Sequence, residues 1–468
     1  PKPIVIKFGG TSVEDESAFA RVAQIVGERK LTAPVVVVTS AMSRMTDALL
    51  ASFRTATDGR AAAAFHLLDE HYERHSNVAL SLLAADAADV FIAALEVARD
   101  EVIELLRNAA TRPVMQPLLQ DVVVSHGERL AATLLTAVLN EQGLPAQYTD
   151  ARRFIVTDDE HAQAAPLLSA TERQTRRELG SLLGAGKIPV LGGFIGASLS
   201  GATTTLGRGG SDYTATLVGA AVHAREIEIW TDVSGAMTTD PRLVPAARTI
   251  PHLSYEEAAT LAYFGGKVLH PKTVQPIVAQ GIPLRILNSR APEDLGTIVN
   301  GETEQGQPSV KAITHKTNIT TVQIKSAHAA TSSEFLCGLF ETFKRYHAVV
   351  DLAEIAEASV ALAIDDTGGK LPLIVRELEP FGSVRVKEHC AIVCVIGEGV
   401  SRSPGIAARI FSALDDVQIT LAAQGASGSS LAFVVDTEQA REVVVRLHGV
   451  FFEHHVEDAE PTAAMAAV

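Results

Sequence analysis

The sequence predicts an α/β protein, a mainly parallel sheet flanked by helices and followed by two small β-α-β-β-α-β sandwiches. Three observations predict it. From residue 3 onward, short β-branched runs closed by glycine alternate with amphipathic helical patterns, the order of a parallel sheet with helices on its faces. A polar stretch at 302–308 interrupts that pattern. Beyond it, strand and helix signals recur in two similar cycles.

Residues 3–8 read as a buried strand ending at Gly9 and Gly10. A helix then opens at Ser12 and carries Phe19, Val22, Ile25 and Val26 at helical spacing, and Pro34 leads into a second strand, 35–39. Residues 60–110 have a helical pattern throughout. A short strand is expected at 121–125, then a long helix from Glu128, and further buried strands at 188–195, 227–231 and 283–287. This first domain spans 1–300.

The first cycle runs through strand 320–325, helix 332–346, strands 349–355 and 359–364, helix 371–381 and strand 383–386. Phe335, Leu339, Phe340 and Phe343 are expected to face its core. The second runs through strand 390–396, helix 405–414, strands 419–424 and 431–435 and helix 438–447, with Ile406, Ile410, Phe411 and Leu414 inward. It lacks a last strand, which 310–314 can supply from before the first cycle. The expected domains are thus 309–388 and 389–456, with a frayed tail at 457–468.

Among 468 residues, 47% are hydrophobic and 20% charged, enough apolar surface for a large core. The net charge of −15 argues against nucleic acid and acidic membrane surfaces as partners, since both need a basic face. Three cysteines make no disulfide framework and suit a reducing compartment; Cys390 and Cys394 read as core residues of a strand. The first apolar run, 4–8, is too short for a secretory signal, and no run of about 18 apolar residues is present to cross a membrane, so a cytoplasmic location is expected.

Chemistry concentrates in a few segments. In Lys7-Phe8-Gly9-Gly10-Thr11-Ser12-Val13, a lysine at a strand end adjoins glycines whose N–H groups can face an anion unobstructed. In the run 201–212, Arg208 lies between glycines, followed by Gly209, Gly210, Ser211 and Asp212 at a helix start, where its guanidinium fork suits a carboxylate. Thr231 and Asp232 end a buried strand, the place where open α/β sheets bind ligands, and Trp230 before them reads as core. Glu128 after Ser125-His126-Gly127 suits an ammonium group, while His126 reads as structural. Lys267, in Phe264-Gly265-Gly266-Lys267-Val268-Leu269-His270-Pro271, is a second cation for phosphates. P-loop, dinucleotide, protein-kinase and nucleophile-elbow motifs are absent from the sequence.

Taken in order, Lys7–Val13, Ser125–Glu128, Thr204–Asp212, Trp230–Val233, Thr239–Arg242 and Lys267–Pro271 give the chain a resemblance to bacterial monofunctional aspartate kinases over essentially its whole length. The resemblance implies an amino-acid-kinase α/β/α sandwich followed by two ferredoxin-like ACT domains. It implies phosphoryl transfer from ATP to the β-carboxylate of L-aspartate, with Mg²⁺ held mainly by the nucleotide phosphates and no metal site on the protein. That reaction opens lysine, threonine and methionine biosynthesis through diaminopimelate. No homoserine dehydrogenase half is expected.

Carried over by motif, Lys7, Asp212 and Lys267 are catalytic, with Lys7 on the transferred phosphate and Asp212 orienting the lysines. Thr46, Glu128, Arg208, Gly209, Gly210 and Ser211 form the aspartate site, Arg208 on the α-carboxylate and Glu128 on the α-ammonium. Lys7, Gly9, Gly10, Thr231, Asp232, Met237, Arg242, Lys267 and Val268 form the ATP site. Met237 stands where relatives carry an aromatic residue, which leaves the packing of adenine or ribose open. The β-carboxylate is ionised at neutral pH, so no general base is needed.

The first ACT repeat resembles lysine sensors at Ser332, Phe335, Leu336, Asp351 and Glu357, and departs from them at Ala329, Thr331 and Ile355. Lysine is therefore the expected effector, with threonine or none as alternatives, and a homo-oligomer is expected, a dimer through the ACT domains or a dimer of such dimers. Two other readings share parts of this pattern. One is a kinase of glutamate or acetylglutamate, opposed by the ACT tail and the run Thr204–Asp212; the other is a non-catalytic amino-acid sensor, opposed by Lys7, Asp212 and Lys267 together.

Overall fold

The computed structural model describes residues 1–453 apart from 267–268, 303–308, 327–332 and 426. Lys267, Val268, Ser332 and the tail 457–468 of the sequence reading lie outside the described residues. The chain forms two compact units, one of Pro1–Ala236, Thr249–Ala259 and Val268–Glu302, the other of the described residues of Met237–Arg248, Thr260–Lys267 and Thr303–Val468.

In the first unit the strands are β1 (Ile4–Phe8), β2 (Val35–Thr39), β3 (Ala146–Tyr148), β4 (Val156–Thr157), β5 (Ile188–Gly192), β6 (Ile195–Ser198), β7 (Thr203–Thr205), β8 (Glu226–Thr231), β9 (His252–Ser254), β10 (Leu284–Asn288) and β11 (Thr297–Asn300). Eight of them make one sheet in the order β3-β5-β2-β1-β8-β10-β11-β9, parallel except between β10 and β11. β1, β2 and β5 are buried on both faces, which explains why they are mostly apolar without alternation. Phe8 pairs with Thr39 and Trp230, Thr39 with Gly192 and Trp230 with Leu287, so the carboxyl ends of five strands finish in one row. From β1 the chain builds outward through β2 on one side and later through β8 on the other, so a topological switch point adjoins β1. A small sheet, β4-β6-β7, is separate.

Helices α1 (Glu16–Lys30), α2 (Met45–Thr57), α3 (Ala61–His66), α4 (Asp69–Leu82), α5 (Ala85–Thr111), α6 (Gln116–Glu141), α7 (Leu168–Gly184), α8 (Gly210–Ala221), α9 (Tyr255–Tyr263) and α10 (Gln275–Val278) complete these parts of the chain. α1 begins later than expected: residues 10–13 form a single tight turn, and the Asp15 side chain caps the helix by accepting from Ala18 N–H. The expected strand 121–125 is instead the interior of α6, so Glu128 lies mid-helix and not at a helix start. A short apolar run suits a buried strand or a fully buried helix equally, and 121–128 is the latter. Pro113–Glu141 is long and apolar enough on average to cross a membrane, although Asp121, Glu128 and Arg129 interrupt it; 72% of its apolar window is buried within the protein, as in a core helix. The single strand expected at 188–195 breaks at Gly193 into β5 and β6.

The second unit contains one six-stranded sheet, β13-β14-β12-β15-β17-β16. Its strands are β12 (Ala312–Lys325), β13 (Val350–Ala356), β14 (Ser359–Ile364), β15 (Ser383–Ile396), β16 (Leu421–Gln424) and β17 (Ser430–Asp436), and its helices α11 (Ser333–Arg345), α12 (Leu371–Leu378), α13 (Pro404–Ser412) and α14 (Thr437–His448). The segments expected as separate strands at 310–314 and 320–325 are one strand, as are 383–386 and 390–396. β12 and β15 pair antiparallel from Ala312↔Ile396 to Lys325↔Ser383, so each serves both repeats. One core gathers Phe335, Leu339 and Phe343 from α11 with Ile374 and Leu378 from α12; the other gathers Ile406, Ile410 and Leu414 with Phe433 and Leu447. Phe340 and Phe411, expected inward, are 38% and 41% exposed, because about 100° per residue carries the residue beside Leu339 or Ile410 off a narrow stripe. Cys390 and Cys394 are buried in β15 and Cys337 is exposed.

Candidate active site

The row of strand ends positions the first group of side chains. Lys7, one residue from the end of β1, is 8% exposed, and its Nζ stands 2.6 Å from the Asp212 carboxylate. Gly9 N–H donates to Trp230 O at 3.0 Å, which holds the glycine loop at the switch point. Ser43 N–H donates to Gly10 O at 3.1 Å, and Arg74 donates to Ser43 O at 2.5 Å, so the loop that precedes Thr46 at the start of α2 rests on the glycine loop. Gly209, in the left-handed region at φ 73°, turns the chain into α8, whose first-turn N–H groups and dipole add positive potential beside Lys7.

Glu128 comes from α6 and is 3% exposed. Burial pushes its carboxyl up to about 8, against the pull of N–H groups from Ala41 and its own backbone. Its Oε2 is buried with no hydrogen-bond partner in the protein, an arrangement an incoming ammonium group would satisfy. A Cβ at Gly192 would lie 2.9 Å from Glu128 Cβ, and one at Gly193 would lie 2.7 Å from Ser211 Cα. This glycine pair therefore lets α6 and the start of α8 close against the end of β5.

Arg208 is exposed at the rim. His270 lies near enough to feel its charge: burial first, then Lys272 and Arg208, hold the imidazole below its ordinary range, while Asp212 opposes them. A Cβ at Gly209 would lie 2.4 Å from His270 Cβ, so only glycine fits between the arginine loop and that ring.

At the end of β8, Thr231 Oγ1 donates to Asp232 at 3.2 Å. Ser289 donates to Thr231 O at 3.1 Å and shares a 2.8 Å hydroxyl contact with Ser12, joining the ends of β8 and β10 to the turn after β1. The structure thus brings Lys7, Gly9, Gly10, Thr46, Glu128, Arg208, Gly209, Gly210, Ser211, Asp212, Thr231 and Asp232 to one end of one sheet in the first unit. Met237 and Arg242 belong to the second unit, where the Arg242 guanidinium is held by Asp240, Nε to Oδ1 at 2.9 Å. Among the described residues no cluster of His, Cys, Asp or Glu is arranged for a metal ion.

Of the residues expected to bind an effector, Phe335 is buried in the first repeat's core with Leu336 packed against it, and Glu357 is exposed between β13 and β14. Asp351 has a buried side chain and already holds a cation, Lys316 Nζ, at 2.8 Å; Lys316 also reaches Asp365 at 2.9 Å.

Sequence reasoning passed over Gly192, Gly193 and His270. The glycine doublet at a strand end was the available signal for the first two. His270 lies in the motif that carries Lys267 but was given no role, because its neighbours in space, Arg208 and Asp212, are remote along the chain.

A cation and a helix terminus at the switch point, with an unsatisfied buried carboxylate at the end of β5, suit a small zwitterionic or anionic ligand in an α/β protein with ferredoxin-like repeats in the same chain. Residues 2–288 match the Amino acid kinase family and residues 393–451 match the ACT domain. Lysine-sensitive aspartokinase 3 of Escherichia coli (strain K12) is 36% identical over 462 residues, covering 96% of this chain and 99% of that protein. The crystal structure of E. coli aspartokinase III in complex with aspartate and ADP (R-state) matches with a TM-score of 0.86 at 35% identity, over 96% of this chain and 100% of that one. The same enzyme in complex with lysine and aspartate (T-state) matches at 0.75, over 97% and 100%. The chain belongs to the amino acid kinase family.

Proposed function

We infer that the protein is an aspartate kinase, forming 4-phospho-L-aspartate and ADP from L-aspartate and ATP. The observation that carries this reading is the pairing of Lys7 with Asp212 above the N-terminus of α8, beside a buried Glu128 whose Oε2 has no partner. Such a site offers a cation and N–H donors to a transferring phosphoryl group and an anion to an ammonium group. The full-length similarity to an enzyme crystallised with aspartate and ADP supports the same pairing of ligands.

Each residue then has a task. Glu128 holds the α-ammonium of aspartate and Arg208 its α-carboxylate, with Thr46, Gly209, Gly210 and Ser211 around them, which leaves the β-carboxylate as the nucleophile. Lys7 balances charge on the transferring group, and Asp212 keeps its ammonium aimed there. Gly9, Gly10, Thr231 and Asp232 accommodate the nucleotide at the switch point. Met237, Arg242, Lys267 and Val268 complete the nucleotide site by resemblance, and Lys267 is the second catalytic cation. Mg²⁺ held by the nucleotide phosphates would neutralise charge on the leaving group.

Lysine is the proposed effector, supported by the lysine-bound state of the E. coli enzyme and by the acids of the first repeat. The proposed assembly is a homo-oligomer through the ACT repeats, whose edge strand β13 exposes Ile355. Three free thiols fit a cytoplasmic, reducing location. The deciding assay supplies ATP and aspartate and traps the acyl phosphate with hydroxylamine, with and without lysine. Hydroxamate formed with aspartate but not glutamate supports the reading, and none with either removes it.

A further inference from the structure

Asp121 has no part in the site described above, yet it is 1% exposed on the helix that carries Glu128. Its carboxylate accepts from Thr205 Oγ1 at 2.6 Å, from His161 Nδ1 at 2.7 Å and from Ala162 N–H at 3.1 Å to each oxygen. A buried carboxylate needs such donors to remain stable in the interior. Asp121 and Glu128 lie about two helical turns apart, so both leave α6 on one face.

The donors matter for where they lead. Thr205 ends β7, from which the chain continues through Gly207 to Arg208. Ala162 occupies the left-handed region at φ 68°, and its carbonyl O would come within 3.2 Å of a Cβ at Gly207. Ala164 N–H donates to Thr205 O at 2.9 Å. Asp121 thus holds both the strand end from which the arginine loop departs and the turn on which that loop rests.

We propose that Asp121 is a positioning residue for the amino-acid substrate, acting through Thr205 and the turn at Ala162 to set Arg208 against Glu128. One helix then supports both ends of the zwitterion, Glu128 directly and Arg208 through Asp121. The spacing of the two charges is built into α6. This rests on the reading of Glu128 and Arg208 as the aspartate clamp.

The test is steady-state kinetics with the hydroxylamine trap, varying aspartate and ATP separately. Thr205→Val keeps the shape of the side chain and removes only the donor, so it avoids the unfolding that Asp121→Ala risks. It is expected to raise KM for aspartate about tenfold with KM for ATP within about twofold, the loss of one hydrogen bond to a charged group. Thr205→Ser restores the donor and the wild-type KM, and Asp121→Asn shifts the same parameter as Thr205→Val. A wild-type aspartate KM for Thr205→Val, or equal rises in both KM values alongside a lowered Tm, overturns the proposal. Glu128→Gln and Arg208→Ala are assayed in parallel. If neither raises the aspartate KM, the clamp reading falls and this proposal with it; if both do and Thr205→Val does not, only the positioning role falls.

Discussion

Lys7 Nζ lies 2.6 Å from the carboxylate of Asp212, joining the end of β1 to the first turn of α8 with both side chains at least 86% shielded from solvent. An ion pair so placed keeps an ammonium group oriented before any phosphate arrives. Lys7→Ala is expected to lower kcat by about a hundredfold or more, the usual result of deleting one preorganised charge, with little change in aspartate KM. Rapid-quench or hydroxamate assays check it, and a near-normal kcat would remove Lys7 from the chemistry.

If Glu128 holds the α-ammonium as proposed, aspartate binding is proton-linked. Burial pushes its carboxyl up to about 8, and an ammonium ligand favours the ionised form. Below that pH the carboxyl must lose its proton for the ligand to bind. Affinity for aspartate should therefore strengthen as pH rises towards 8, by up to about tenfold per unit, and level off above. Calorimetry in two buffers of different ionisation heat at pH 7 should register proton release, and Glu128→Gln should abolish it. The same raised carboxyl disfavours the ligand-free fold as pH climbs from the ordinary carboxylate range through 8, so aspartate should protect against heat more at pH 8 than at pH 6.

Arg208→Ala should raise the aspartate KM by about ten- to a hundredfold and leave the ATP KM nearly constant, since the proposed bidentate carboxylate contact would be lost and the loop is exposed. A rise confined to ATP would assign the guanidinium to the nucleotide instead.

Gly193→Ala tests the closure of α8 on β5. Its Cβ would meet Ser211 Cα at 2.7 Å, Ser211 Cβ at 2.8 Å and Val38 Cγ1 at 3.0 Å, and the first of these cannot rotate away. Overpacking of this kind costs about 1–3 kcal/mol, visible as a shifted denaturation midpoint with unchanged slope. Aspartate KM should rise as well, because Ser211 and Asp212 move with the helix start.

Asp351 is already neutralised by Lys316, so an effector ammonium bound there competes with a cation of the protein itself. Lys316→Met leaves two carboxylates, Asp351 and Asp365, without that partner and should destabilise the second unit by about 3 kcal/mol. If lysine binds at Asp351, millimolar lysine should raise the Tm of this variant more than that of the wild type. Equal shifts would place the effector elsewhere.

Much of the sheet was readable from local pattern. β1, β2, β8 and β10 are short β-branched runs with glycine, proline or polar ends, and each falls within one or two residues of its expected place. The helices of the second unit were equally plain, since Phe335, Leu339 and Phe343 repeat at the period of a helix. The segment 121–128 was not. Its apolar run looks the same whether buried as strand or as helix, and only the packing of α6 among other elements makes it helical. Gly193 read as the interior of one strand, but it follows the end of β5 at Gly192, where Ser211 approaches closely.

Local sequence by itself determined most of the strands and helices and where glycine lets the chain meet an anion. Tertiary structure alone decided that Lys7 faces Asp212, that Glu128 is buried with an unsatisfied oxygen, that His270 borders the arginine loop and that Asp121 anchors Thr205. The physical reason is range. Propensity, capping and periodicity act over a few residues, whereas burial, charge pairing and the shape of a site depend on neighbours far away in sequence, brought together only when the strands assemble in their non-sequential order.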